Sequence, residues 1–192
     1  FTTVALGGFR GLISNMLWNR ANQLQEDGKY FEMVQLADWI TKLQPHFVSV
    51  WVNQAWNLSY NISVKFPDHA DRWLWVQRGI ELLRDYGLQY NPQETLIYRE
   101  LAWHFQHKMG ANLDDANKLY KAEWAEIWDP LLEDGVPNYA LLLDPQSPED
   151  HSKVKAIRET FKMDPLVMQQ VDEEYGPFEW RLPEAHAIYW AY

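Results

Sequence analysis

The chain has 192 residues, of which 47% are hydrophobic, and its 17 basic and 27 acidic residues give a net charge of −10. This balance argues against binding to nucleic acid or to an anionic lipid surface, because both require a concentrated basic face. Cysteine is absent, which excludes disulfides, thiolate metal sites and cysteine nucleophiles, and the hydrophobic fraction predicts a folded core rather than disorder.

Apolar residues recur three and four positions apart along most of the chain, as the buried face of a helix requires. The first stripe covers residues 11–25 and ends at Asp27-Gly28, and the second covers residues 30–43 and ends before Pro45. Two further helix pairs are predicted at about 47–64 with 67–86, and at about 93–109 with 113–132. Strand signals are nearly absent, so the sequence predicts an all-α protein. The apolar positions of the first stripe are Leu12, Ile13, Met16, Leu17, Ala21 and Leu24.

Residues 133–149 form a different kind of segment, rich in turn residues such as Gly135, Pro137 and Pro145. Loops of this length within compact domains are uncommon and often functional. The segment contains an apolar patch at residues 139–143, which we expect to contact either the rest of the chain or a partner. Beyond it, helices are predicted near residues 148–163 and 164–175, and another begins at Pro183.

One segment carries a family resemblance. Residues 28–45 combine a Gly-x-Tyr turn at Gly28 and Tyr30, an apolar stripe and a closing Pro45, and this combination resembles the second half of a tetratricopeptide repeat. Trp18 and Trp51 lie 33 residues apart, near the family period of about 34. Pro45 and Pro92 lie 47 residues apart, which indicates a lengthened second repeat.

The resemblance implies a right-handed α-solenoid of antiparallel helical hairpins. We therefore expect an apolar lead-in at residues 1–10 and three hairpins at residues 11–132. A long proline-rich loop at residues 133–149 and further helices, with the start of another hairpin, at residues 150–192 should follow. The apolar start before Gly7-Gly8 is similar to the end of an anchor or signal segment in bacterial membrane-anchored proteins of this class. The chain contains no run of about 18 apolar residues, so the sequence predicts no membrane span within it.

Two asparagine strips suggest where a partner binds. Asn15, Asn19 and Asn22 share one face of the first helix, and three more asparagines follow on the third helix. Asparagine is a poor residue for helix interiors, and in this repeat class the first helix of each hairpin lines a concave groove. We interpret the strips as amides that bind an extended peptide by donating and accepting hydrogen bonds, the alternatives being a solvated face or pairing between helices. The predicted groove residues are Asn19, Asn22, Asn53, Asn57, Tyr60, Asn61, Trp103, His104 and His107.

Glu100, His104 and His107 form the one constellation with metal-ligand chemistry, because helical spacing places them within about 60° of arc. Together they would offer one oxygen and two nitrogen ligands to zinc or iron. Their spacing does not match the ligand motifs of di-iron bundles or metalloproteases. The competing interpretation is a set of polar residues on a groove-lining helix beside Trp103.

The sequence therefore predicts a non-catalytic scaffold that binds a partner protein or peptide in a concave groove, with no cofactor. The alternative is a helical metal-binding protein or enzyme that uses Glu100, His104 and His107. A structural subunit of a larger assembly is a variant of the first hypothesis.

Overall fold

The computed structural model describes the backbone of residues 2–192 and the side chains of residues 11–192 except Ser14, Gln25 and Tyr30. Helices account for its regular structure, and no β-strand occurs in this described part, which contains one isolated bridge between Glu133 and Val136. The prediction of an all-α protein is confirmed. The chain divides into two compact units, Phe1–Ile97 and Tyr98–Tyr192. None of the helices described is both long and apolar enough to cross a bilayer.

The first unit contains helices over each of the predicted apolar stripes, but the first helix begins at Thr2 rather than near residue 11. Gly28 makes the turn between the first two helices with a left-handed φ of 70°, a conformation that glycine adopts without steric cost. The third helix continues as a π-helical turn, Asn57–Ile62, and the fourth as a π-helical turn, Leu82–Gly87. The helices are α1 (Thr2–Glu26), α2 (Tyr30–Leu43), α3 (Val48–Trp56), α4 (His69–Glu81) and the short α5 (Leu88–Tyr90).

Helices α1 and α2 form an antiparallel hairpin. Close to the turn, Ala21 and Leu24 pack with Met33. Farther from the turn, Ala37 and Ile40 of α2 belong to a cluster that also takes in residues of α1 and α3. Three members of the predicted α1 stripe do not belong to this core, because Leu12, Ile13 and Met16 are 61%, 43% and 66% exposed.

Helix α4 lies close against α3 and the π turn that follows it. A Cβ atom on Gly79 would lie 2.9 Å from the backbone oxygen of Ala55 and closer still to the hydroxyl of Ser59. Only glycine therefore fits at this crossing. Farther along, the backbone oxygen of Pro45 accepts hydrogen bonds from Trp51 Nε1 at 2.8 Å and from Asn91 Nδ2 at 2.9 Å, which ties the start of α3 to the residue after α5.

The second unit begins within helix α6, which crosses the boundary and continues as a π-helical turn, His104–Gly110. A further π-helical turn, Ala156–Thr160, extends the ninth helix. The ninth helix starts with a capping box, in which Ser147 and Asp150 each accept the other's backbone N–H. The helices are α6 (Thr95–Trp103), α7 (Asn117–Trp128), α8 (Tyr139–Leu143), α9 (Pro148–Lys155), α10 (Pro165–Tyr175) and α11 (Pro183–Ala191).

Aromatic rings surround a buried histidine in the core of this unit. The imidazole of His186 is fully buried, and its Nε2–H donates to the backbone oxygen of Trp180 at 2.8 Å. The ring centroids of Trp128 and Trp124 lie 4.5 and 5.0 Å from that of His186, and the Phe105 centroid lies 5.2 Å away. Much of the tryptophan content of this unit therefore forms a core.

The segment predicted as a long loop packs inside the second unit. Its apolar patch forms helix α8, where Leu142 is 3% exposed. The hydroxyl of Tyr139 donates to the carboxylate of Asp172 in α10. The same carboxylate accepts hydrogen bonds from Trp180 Nε1 and from the backbone N–H of Phe178, both at 3.0 Å. Internal contact, rather than contact with a partner, thus accounts for Tyr139 and Leu142.

Candidate functional site

A shallow cleft lies among α1, α2 and α3 in the first unit, and the roughly 240 Å³ of space between its walls includes open solvent. Each of the three helices contributes because the α1–α2 hairpin and α3 share one core cluster. Three side-chain amides, one of them buried, and one indole line it together with small and aliphatic side chains. The residues lining the cleft are Trp18, Ala21, Asn22, Met33, Ala37, Val50, Asn53 and Gln54.

The amides of the cleft come from both predicted asparagine strips. Asn22 of α1 and Asn53 of α3 are exposed at its surface. The Nδ2 atom of Asn53 donates to the backbone oxygen of Ser49 at 2.8 Å, which fixes this side chain along its helix. The structure thus brings one member of each strip to a single cleft.

Gln54 supplies the third amide from a buried position. Its side chain is 5% exposed, and its Oε1 atom has no hydrogen-bond partner among the described residues. Because this oxygen is itself buried, Gln54 contributes to the wall of the cleft and offers no exposed acceptor at its surface.

The floor of the cleft is apolar and buried. Ala21, Met33, Ala37 and Val50 are each 5% exposed or less. At one side, the indole of Trp18 packs against Phe47 with ring centroids 5.7 Å apart. None of the lining residues carries a charge, so the cleft offers hydrogen bonds and apolar contact without electrostatic attraction.

The other predicted groove residues of the first unit lie elsewhere. Asn19 is exposed on α1 but does not line the cleft. Asn57 is 1% exposed, and its Oδ1 accepts from Asn61 Nδ2 at 3.1 Å, so these two amides pair along one helix. The ring of Tyr60 stacks on Trp56 at 5.3 Å, with 18° between the planes.

The predicted residues of α6 and its π turn belong to the second unit. Trp103 is 44% exposed and stacks on His107 with centroids 4.5 Å apart. His104 is fully buried, and its Nδ1 lies 2.7 Å from the backbone oxygen of Glu100. The carboxylate of Glu100 accepts from Arg99 at 2.8 Å. A partner at the surface could reach Trp103 and His107, whereas His104 is removed from it.

The candidate metal ligands do not form a metal site in the structure. Within the part of the chain that the structure describes, no group of three or more histidine, aspartate or glutamate side chains is arranged to hold a metal ion. Asp114, a carboxylate close to these residues in sequence, instead forms an ion pair with Lys108 at 2.5 Å.

Sequence reasoning missed Gln54, which is the most buried polar group of the cleft. The signal was present, because Gln54 lies at helical i, i+4 spacing between Val50 and Leu58 in a stripe whose other members are apolar. A polar residue within a buried stripe is a signal, because a buried polar group normally needs hydrogen-bond partners.

Comparisons of this chain with protein-family models, with curated proteins and with solved structures find no match.

Proposed function

We propose that this protein is a non-catalytic scaffold of tetratricopeptide-like hairpins, stacked as an α-solenoid, that binds a segment of a partner protein in the α1–α2–α3 cleft. The observation that carries the proposal is the cleft itself, where the exposed amides of Asn22 and Asn53 border a buried apolar floor. An extended peptide presents alternating backbone donors and acceptors, and side-chain amides match both.

A repeat in local structure supports the solenoid part of the proposal. A π turn follows α3 directly after Trp56, and another follows α6 directly after Trp103. These positions are 47 residues apart, as are Pro45 and Pro92. In both helices the tryptophan stacks on the ring four residues later, Tyr60 in one and His107 in the other.

The chemistry of the lining favours binding over catalysis. General acid–base catalysis needs a titratable group within hydrogen-bond reach of the substrate. The cleft is lined by amides, an indole and aliphatic side chains, which orient a ligand but do not exchange protons with it near neutral pH. The positions of Asn22 and Asn53 at the surface suit contacts along a chain that passes over the cleft.

Affinity purification with cleft variants tests the proposal. The tagged wild-type protein should recover a stoichiometric partner protein from an extract of its native source, and the Asn22→Ala/Asn53→Ala variant should lose it. Gln35→Ala is the matched control, because Gln35 is an exposed amide of α2 outside the cleft. Thermal unfolding of all three proteins should agree within about 1 kcal/mol, since exposed substitutions change stability little.

Three results would contradict the proposal. A partner that is retained by the double variant binds elsewhere on the chain. A partner that is lost equally with Gln35→Ala does not recognise the cleft amides. Recovery of the wild-type protein without any stoichiometric protein partner would argue against a scaffold altogether.

A further inference from the structure

We propose that a surface cluster in the first unit is a second docking site, which binds a peptide segment that carries one carboxylate close to an apolar side chain. The cluster consists of Phe31, Phe66, Trp75 and Arg78, and we call it the aromatic patch. None of these four residues lines the α1–α2–α3 cleft, so the patch is a separate site. Phe31 is 55% exposed and Arg78 is also exposed, so a partner can reach both from solvent.

The three rings of the patch come from separate parts of the fold and meet at an angle. Phe31 lies on α2, Phe66 shortly before α4 and Trp75 within α4. The rings of Phe66 and Trp75 lie 5.9 Å apart with 24° between their planes, whereas Phe31 meets these two rings at 81° and 75°. The rings therefore form a corner at the surface. An apolar side chain that packs into this corner covers two ring surfaces at once.

Arg78 supplies the charge of the patch. Its guanidinium carbon lies 4.9 Å from the centroid of the Trp75 ring, and no ion pair joins it to a carboxylate among the described residues. A guanidinium that stacks on a ring uses its flat face, which leaves the N–H groups in its plane available to a carboxylate. Stacking also restricts the side chain beforehand, so less conformational freedom is lost when a carboxylate binds.

The cation narrows the class of ligand. A methylated or quaternary ammonium, which aromatic cages bind, would share the Trp75 ring with Arg78 and be repelled by it. The net charge of −10 on the chain opposes the approach of a second copy or of a strongly acidic partner. A single carboxylate beside an apolar side chain matches the patch without either difficulty.

The dimensions of the patch suit a polypeptide. In an extended segment, side chains two residues apart lie about 7 Å apart on the same side. That spacing suits a ring, Phe31, and a cation, Arg78, that lie 5.9 and 4.9 Å from the Trp75 centroid. An exposed corner does not enclose a small molecule as a pocket does, so binding requires the additional contacts that a longer chain makes.

Peptide selection supplies the probe for the test. The whole chain is used to select from a display library of random linear peptides, and binders that also bind the Phe31→Ala/Arg78→Gln variant are removed. The best remaining sequence is synthesised with both ends blocked, and its Kd is measured by calorimetry. We expect an aspartate or glutamate within two residues of an aliphatic or aromatic residue. Raising the salt concentration should weaken binding, because the ion pair is exposed to solvent.

A double-mutant cycle then assigns the ion pair. Arg78→Gln should weaken binding of the peptide about fivefold, which is the upper range for an exposed ion pair. Replacing the acidic residue of the peptide by its amide should weaken binding to wild type by the same factor, but to Arg78→Gln less than about twofold. The control is Arg20→Gln, because Arg20 is an exposed arginine of α1 outside the patch, and it should bind like wild type.

A second pair of variants tests the aromatic corner. Phe31→Ala should weaken binding about tenfold, because a partner side chain loses one wall of the corner. The matched control is Trp39→Ala, since Trp39 is 49% exposed on the same helix and is not part of the patch. Both variants should unfold at nearly the same temperature as wild type, because the two side chains are exposed.

Four results would overturn the inference. No peptide depends on the patch, or the dependent peptides lack an acidic residue. The amide peptide loses the same factor with wild type and with Arg78→Gln. Trp39→Ala weakens binding as much as Phe31→Ala does. Sedimentation shows self-association that Phe31→Ala abolishes, in which case the patch joins two copies. The Asn22→Ala/Asn53→Ala variant should bind the peptide like wild type, so failure here leaves the proposed function of the cleft to its own test.

Discussion

Replacing Lys108 should unfold the second unit at a much lower temperature. The ammonium of Lys108 and the carboxylate of Asp114 lie 2.5 Å apart, and the two side chains are 4% and 7% exposed. Lys108→Met keeps the length of the side chain but leaves the carboxylate buried without its cation. Asp114 retains hydrogen bonds from the Ala116 backbone N–H at 2.9 Å and from the Tyr120 hydroxyl at 3.2 Å.

The size of the effect follows from these remaining contacts. Removing one partner of a buried ion pair costs about 3–5 kcal/mol, and the two retained bonds place the expected loss near the lower end, at about 3 kcal/mol. In a unit of about 95 residues, each kcal/mol shifts Tm by roughly 4–8 °C. The transition of the second unit should therefore fall by roughly 12–24 °C.

The same pair gives the variant a distinct pH dependence. Burial raises the pKa of Asp114, but hydrogen bonds from Lys108 and from the Ala116 backbone outweigh it and lower the pKa from 3.8 to about 2. A lowered pKa in the folded state adds stability that is present above about pH 4 and is lost as the pH falls towards 2. Without Lys108 the pKa of Asp114 should rise, so the variant should lose less stability over this interval than wild type does.

Thermal unfolding followed by circular dichroism at pH 7, and repeated between pH 4 and 2, measures both effects. Lys118→Met is the control, because Lys118 is exposed on α7 in the same unit. Adding Asp114→Asn to Lys108→Met should restore part of the loss, since the uncompensated charge is then removed as well. If Lys108→Met unfolds within about 1 kcal/mol of Lys118→Met, the buried pair does not stabilise the protein as reasoned here.

Three further predictions concern close packing and the carboxylate of Asp172. Gly79→Ala should destabilise the first unit by about 2 kcal/mol in urea unfolding, because the new Cβ would lie 2.9 Å from the Ala55 backbone oxygen. The control is Gly11→Ala, whose Cβ would lie at an ordinary 3.6 Å from Gln44 Nε2, and it should be neutral or stabilising. Asp172→Asn should lower the free energy of unfolding of the second unit by about 2–3 kcal/mol, because the new side-chain NH₂ is a donor and would face the Tyr139 hydroxyl or Trp180 Nε1–H, which are donors too. An unchanged Tm would mean that these hydrogen bonds are dispensable. Burial and the hydrogen bond to Asp172 raise the pKa of Tyr139, so its contribution to stability should be present below about pH 10 and be lost above it, and Tyr139→Phe should flatten this alkaline decline.

The sequence predicted the helices well and their endings less well. Stripes at i, i+3 and i+4 located α2, and Pro165 at the first turn of α10 is the kind of start that sequence alone reveals. The four π turns of the described residues, such as Asn57–Ile62 and His104–Gly110, had no sequence signal. Such turns insert a residue into the helical ladder, and whether that is favourable depends on how neighbouring helices pack.

The site was predicted in part. Asparagine spacing identified Asn22 and Asn53, which the structure places in one cleft. The same spacing also selected Asn57, which is 1% exposed. Periodicity predicts which face of a helix a side chain lies on, but it does not predict which other helix packs against that face. Gln54 was missed because the role of a single polar residue in an apolar stripe depends on the side chains that surround it in the fold.

By itself, the amino-acid sequence determined that this protein is helical, where most turns fall and which faces of the helices are apolar, because these properties depend on contacts within about four residues. Only the tertiary structure decided which tryptophans form a core, as Trp128 does, and which remain exposed, as Trp103 does. It also decided that the apolar patch in the 133–149 segment packs internally and that Gln54 is buried in a cleft that Asn22 and Asn53 also line. The burial of a side chain, its hydrogen-bond partners and the shape of a cleft depend on residues that are far apart in the chain. Local sequence patterns do not show which of those residues come close in space.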